Sequence, residues 1–156
     1  MHAIGCLTED HRQLSSKLVV LETALAAGEE SEVLLEDCCA VVDLLHEHIA
    51  REERFVGACS RALGPISAVQ LNWLAIDHTE AYRRLQMIAW LLGEELPSCS
   101  GGIRVNLIGA MVILRHQIDE QEAKLFPFLR PVMDRVEPLQ PKPPPDVSSM
   151  TGRSSL

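Results

Sequence analysis

Two stretches of the chain carry the same pair of side chains at the same spacing: His48 precedes Glu52 by four residues, and His116 precedes Glu120 by four. On an α-helix that spacing sets imidazole and carboxylate one turn apart on one face, where both reach the same metal ion. Two further histidines, His11 and His78, each stand in a long segment of apolar periodicity. Imidazoles and carboxylates without a thiolate suit iron, zinc or manganese, and one carboxylate from each of two helices can bridge a pair of ions. The four histidines then act as terminal ligands, about two per ion, and positions remain open for water, dioxygen, peroxide or nitric oxide. Iron, with its redox change, gives such a site a purpose that zinc does not.

Side chains this far apart in sequence meet only if regular elements carry them. Stop signals at Gly28, Gly64-Pro65 and Gly93 divide the chain into predicted helices from Thr8 to Ala27, Ser31 to Leu63, Ser67 to Leu92 and Ile103 to Met133. Short connections between long helices make sequential neighbours antiparallel, so the expected fold is all-α, an antiparallel up-down-up-down four-helix bundle. The alternating 3-4 spacing of a bundle seam gives Leu7, His11, Leu14, Leu18, Leu21 and Leu25 in the first helix, and Leu34, Cys38, Val41, Leu45, His48, Glu52, Phe55 and Cys59 in the second. The third seam is Leu71, Leu74, His78, Ala81, Leu85, Ile88 and Leu92; the fourth is Gly109, Ile113, His116, Glu120, Ala123 and Pro127. His11, His48, Glu52, His78, His116 and Glu120 all fall on these inward seams, whereas His2 and His46 do not.

A single histidine on an apolar face is usually a core residue with a hydrogen-bond partner. Two carboxylates resist that account, because a buried carboxylate needs a partner and no Lys or Arg occupies a seam. The competing account is a metal-free core in which the carboxylates share protons with the histidines.

Composition excludes other classes. The 156 residues fit one domain, and the formal charge of −8, from 22 acidic against 14 basic residues without a basic cluster, argues against nucleic acid as a partner. The opening MHAIGCLTEDHRQL lacks a basic and an apolar leader region, and no apolar run is long enough for a membrane span, so a soluble, cytoplasmic protein is expected. The five cysteines, Cys6, Cys38, Cys39, Cys59 and Cys99, form an odd set without a C-x2-C pair, which fits reduced thiols, with Cys38 and Cys59 as small core residues. Residues 1–135 form the expected bundle. Residues 136–156 are rich in Pro and Ser and are expected to be a disordered tail, in which Pro141, Pro143, Pro144 and Pro145 could dock a partner.

In its motifs the chain resembles the hemerythrin-like, or HHE cation-binding, domains. The resemblance rests on Glu9-Asp10-His11, on HEHIAREERF (His46 to Phe55), on Asp77-His78 and on HQIDEQEAKLFP (His116 to Pro127), and it spans about residues 5–133. It implies an antiparallel four-helix bundle with two non-haem iron ions, in which His11, His48, His78 and His116 are terminal ligands and Glu52 and Glu120 bridge. Two departures bear on function. Leu74 stands where oxygen-carrying members have a further histidine, which counts against reversible oxygen carriage; Tyr82, four residues after His78, is expected at the boundary with its hydroxyl in water, the alternative being that it turns inward to the metal. The run EQEAKLFP also holds one residue more than the family spacing, which makes Asp119 and Glu122 rivals of Glu120.

The expected function is that of a di-iron protein reacting with peroxide or dioxygen, catalase-like or oxidase-like. An oxygen or nitric oxide sensor, an iron storage or repair protein, and a metal-free interaction module are the alternatives. A monomer or weak homo-oligomer is expected, with a small oxidant or gas (O2, H2O2 or NO) as its ligand.

Overall fold

The computed structural model describes residues 3–75, 77–94 and 100–136, and among these every regular element is helical. Helix α1 covers Ala3–Ala26, starting a turn earlier than its sequence signals indicate, and α2 covers Ser31–Ala62. Between them Gly28 takes a φ of 68°, a left-handed conformation that glycine adopts without steric cost. The backbone N–H groups of Gly28 and Glu29 donate to the carbonyls of Leu25 and Ala24, both at 3.1 Å, and so close the open end of α1. At the far end of α2 the chain extends through Leu63 and Gly64 and re-enters helix at Pro65, where proline's missing N–H costs nothing.

The third predicted helix is two. Helix α3, Pro65–Leu74, stops at an extended Ala75, and α4, Thr79–Gly93, begins directly after His78. No glycine or proline marks the break. A side-chain cap does, because Asp77 Oδ1 accepts the Thr79 N–H at 2.8 Å, the bond that favours Asp before a helix start.

The last segment runs as α5, Ser100–Glu120, through one wide π-helical turn, Gln121–Leu125, into α6, Phe126–Val136. Its buried stripe is Ile103, Leu107, Ala110, Leu114, Ile118, Gln121, Leu125, Leu129 and Met133. The last four of these are spaced by four residues throughout. An ordinary α-helix turns about 40° too far with every such step. The wide turn absorbs that excess, and Pro127, which has no N–H to give to an α-helical ladder, stands two residues past its end. The expected seam of Gly109, Ile113, His116, Glu120, Ala123 and Pro127 is therefore one residue out of register: Ile113, His116, Ala123 and Pro127 are exposed, and Gly109 and Glu120 lie at the boundary.

Helix α1 packs on α2, α2 on α4, α4 on α5, and α5 with α6 returns to α1. The enclosed apolar side chains form two clusters. The larger holds Leu14, Leu18, Leu21, Leu34, Val41, Leu45, Leu85, Leu107 and Leu114; the smaller, at the other end, holds Ile4, Leu7, Cys59, Leu71, Leu125, Phe126 and Leu129. Full burial of each leucine contributes about 2 kcal/mol. The ion pair of Arg115 with Glu22 and the bond from Arg104 to the Glu29 carbonyl tie α5 to the α1 side at the surface, where each adds about 1 kcal/mol at most. Between the two apolar clusters lies a polar layer. No helix among the described residues is long and apolar enough to cross a membrane. The expected tail lies outside the described residues beyond Val136, as do His2 and Cys99.

Candidate metal centre

Each inner helix contributes to this layer at the same level. His11 sits between Leu7 and Leu14 on α1, His48 and Glu52 between Leu45 and Cys59 on α2, His78 between Leu71 and Ala81 at the head of α4, and Gln121 between Ile118 and Leu125 at the wide turn. All five are buried, His48 to 1% exposure and Glu52 to 6%. The His48 and His78 ring centres are 5.4 Å apart, and His11 stands 4.7 Å from His48 and stacks on Phe126 at 5.0 Å.

Three atoms of the layer have no hydrogen-bond partner: His48 Nε2, Glu52 Oε2 and His78 Nε2. They converge. Glu52 Oε2 is 3.2 Å from His48 Nε2 and 3.4 Å from His78 Nε2, and His48, Glu52 and His78 are the one group of three ligating side chains among the described residues whose ligand atoms all lie within 4.8 Å of one another. Two ligands each about 2.1 Å from a common ion and roughly 90–110° apart are themselves about 3.0–3.4 Å apart. Both distances fit two ligands that share one ion.

Neighbouring residues set each imidazole to present Nε2. His48 Nδ1 donates to Asp10 Oδ2 at 3.3 Å, and Asp10 is itself held by Arg51. His78 Nδ1 donates to Gln117 Oε1 at 2.9 Å. In the neutral form a ring with its proton on Nδ1 would present a lone pair from Nε2 to the layer, the usual support of a metal-ligating histidine. Burial pushes the Glu52 carboxyl up, but the two imidazoles facing it, His48 and then His78, outweigh this and hold the group down at about 2. His78 is pulled down by burial and raised further by Glu52, for a net rise. His11 moves down, through burial first and the nearby His48 second.

A metal ion would partner all three converging atoms at once; without one, protons on both Nε2 atoms would let Glu52 Oε2 accept from each ring. The buried group could thus hold a metal ion.

The structure therefore brings together His48, Glu52 and His78, and places His11 beside them. It does not bring His116 or Glu120. His116 is exposed on the outer face of α5, and Glu120 pairs with Lys124 at 2.6 Å. Their inward counterparts are Gln117 and Gln121, one residue along, which sequence reasoning missed together with Asp10 and Arg51 as supporting residues. Of the rivals to Glu120, Asp119 is exposed, while Glu122 reaches His11 Nδ1 at 3.0 Å with 45% of its side chain exposed. Tyr82 is half-buried away from the cluster, beside His46, and its hydroxyl accepts from Gln86.

A cavity of about 200 Å³ at the break between α3 and α4 is lined by Glu52 and His78 together with Ile49, Val56, Asp77 and Thr79. A larger cleft of about 780 Å³ between α1 and the last segment reaches His11 and Glu122 but none of the three converging ligands. The smaller cavity is the one that touches the chemistry. Comparison with known proteins leaves the site to be read from its geometry: no family model, no curated protein and no solved structure matches the chain.

Proposed function

We propose that this chain is a hemerythrin-like protein, its helices in antiparallel up-down-up-down order, that holds non-haem iron at His48, Glu52 and His78 and reacts there with a small oxidant such as peroxide or dioxygen. The observation that carries the proposal is the convergence of three buried, unpartnered ligand atoms. Two imidazoles and one carboxylate with open positions form the donor set of non-haem ferrous sites. Iron bound there would supply redox chemistry at those open positions.

The protein's own residues would bind and orient. Glu52 offsets part of the charge of the ion, while Asp10 and Gln117 hold the two rings in the tautomer that ligates. Apolar clusters flank the layer above and below. The cavity of about 200 Å³ beside Glu52 and His78 is of a size that suits a diatomic gas or peroxide.

Anaerobic reconstitution with ferrous iron, metal counting and exposure to peroxide test this. Iron is expected in the wild type and is lost in Glu52→Ala. Less than one iron per chain, or equal loading of the variant, rejects the proposal. Peroxide turnover by the loaded protein supports the oxidant reading, and stable nitric oxide or oxygen binding without turnover replaces it with a gas-binding one.

A further inference from the structure

We propose that Gln121 limits this centre to a single metal ion, because its side-chain amide occupies the two atoms, Glu52 Oε1 and His11 Nε2, that a second ion would require. The inference rests on the metal-binding reading above and concerns how many ions the layer accepts.

Gln121 is completely buried, with its amide between α1 and α2. Its Nε2 donates to Glu52 Oε1 at 2.8 Å, and its Oε1 lies 2.9 Å from His11 Nε2. The direction of this chain is fixed by its ends. An ionised carboxylate only accepts, so Gln121 must turn its NH2 toward Glu52 and its oxygen toward His11. His11 must then donate from Nε2, and that nitrogen has no lone pair left for a metal. The remaining nitrogen, Nδ1, faces Glu122. Glu52 is thereby divided: Oε2 faces His48 and His78, while Oε1 is held by the amide and does not bridge.

The last segment supplies no replacement. A second ion needs an anionic ligand from that helix to offset its charge, and the inward positions there carry the neutral amides of Gln117 and Gln121. Of the two carboxylates flanking Gln121, Glu120 points outward to Lys124 and Glu122 engages His11 Nδ1, the ring nitrogen turned away from Gln121. One ion finds a full set of three ligands, while a second would meet a protonated imidazole nitrogen and an amide N–H.

Cobalt(II) serves as the probe, with metal counting after equilibrium dialysis and electron paramagnetic resonance of the loaded protein. Wild type is expected to bind one cobalt per chain with the signal of an isolated ion. Gln121→Glu, which places a carboxylate opposite Glu52, is expected to bind two, with the signal altered by coupling between them. Gln121→Ala keeps a count of one but binds about 10–100-fold more weakly, because Glu52 loses the donor that orients it. Two ions in the wild type, one ion in a Gln121→Glu protein with a native helical circular dichroism spectrum, or unchanged affinity in Gln121→Ala each overturns the proposal. Should Gln121→Glu not fold, the other two arms decide. A wild type that binds no cobalt and no iron instead removes the metal-binding reading itself.

Discussion

Replacing Glu52 by Gln should abolish the stabilisation that metal gives this fold while leaving the metal-free fold intact. The substitution keeps the shape of the side chain and removes the only anionic ligand of the three. Without metal, each unpartnered buried polar atom of the layer carries a cost of about 1–3 kcal/mol, so an ion that satisfies all three favours the folded state. An ion present at roughly 100 times its dissociation constant stabilises by about 2.7 kcal/mol. For a domain near 150 residues, about 2–4 °C per kcal/mol turns this into a rise in melting temperature of roughly 5–11 °C. In Glu52→Gln the affinity falls by two orders of magnitude or more, and the rise should shrink to about 1 °C at the same metal concentration. Thermal unfolding followed by circular dichroism at 222 nm, with and without cobalt(II), measures both values. An equal rise in wild type and variant refutes the reasoning, and so does a wild type whose melting temperature ignores saturating metal.

Other consequences are as direct. His116→Ala and Glu120→Ala should leave metal affinity within about twofold of wild type, since both side chains lie outside the layer; loss of metal in either would overturn the register of α5 described above. Asp10→Asn should weaken binding about 10–100-fold through the orientation of His48, read by competition with a chromophoric chelator. Brief maleimide labelling of the native protein should modify exposed Cys39 and spare Cys38, whose burial raises its thiol from 9.0 to about 12; peptide mass mapping that finds equal labelling would contradict the packing. Because the folded thiol keeps a proton that the unfolded one releases, the stability linked to Cys38 is full below pH 9 and declines between 9 and 12, a trend that urea titrations of wild type and Cys38→Ala would separate. Leu45→Ala, in the larger apolar cluster, should cost about 2–5 kcal/mol in the same titrations.

The first two helices could be read from sequence because their stripes keep an unbroken 3-4 spacing, and polar residues that interrupt such a stripe stand out. His11, His48 and Glu52 were found in this way, and His78 too, even though its helix is divided. That division escaped because its signal is a single capping aspartate, Asp77, inside a segment otherwise rich in helix formers. The last segment failed for a different reason. The repeated His-x3-Glu spacing drew the seam one residue off the stripe of Ile103, Leu107, Leu114 and Ile118, and a 3-4 rule has no place for successive steps of four. The extra residue before Leu125-Phe126-Pro127 was visible in the sequence, but only the backbone shows that it is taken up as a wide turn. Gln117 and Gln121 carry the same four-residue spacing as the pair they displace; as neutral amides they gave no charge to draw attention.

That wide turn also makes the last segment editable in a way that the plain α-helices among the described residues are not. It is what a surplus residue leaves behind in a helix whose two flanking faces are already committed to the core. Removing one residue between Gln121 and Leu125 would close it to ordinary α geometry with Ile118 and Leu129 still facing inward, whereas a deletion elsewhere in α5 or α6 rotates everything beyond it by about 100°. The residue removed decides which side chain enters the layer. Without Gln121, Glu122 moves into its place, and the metal count of that deletion variant would report the exchange. A single lost codon, with no compensating substitution, separates a layer closed by an amide from one closed by a carboxylate.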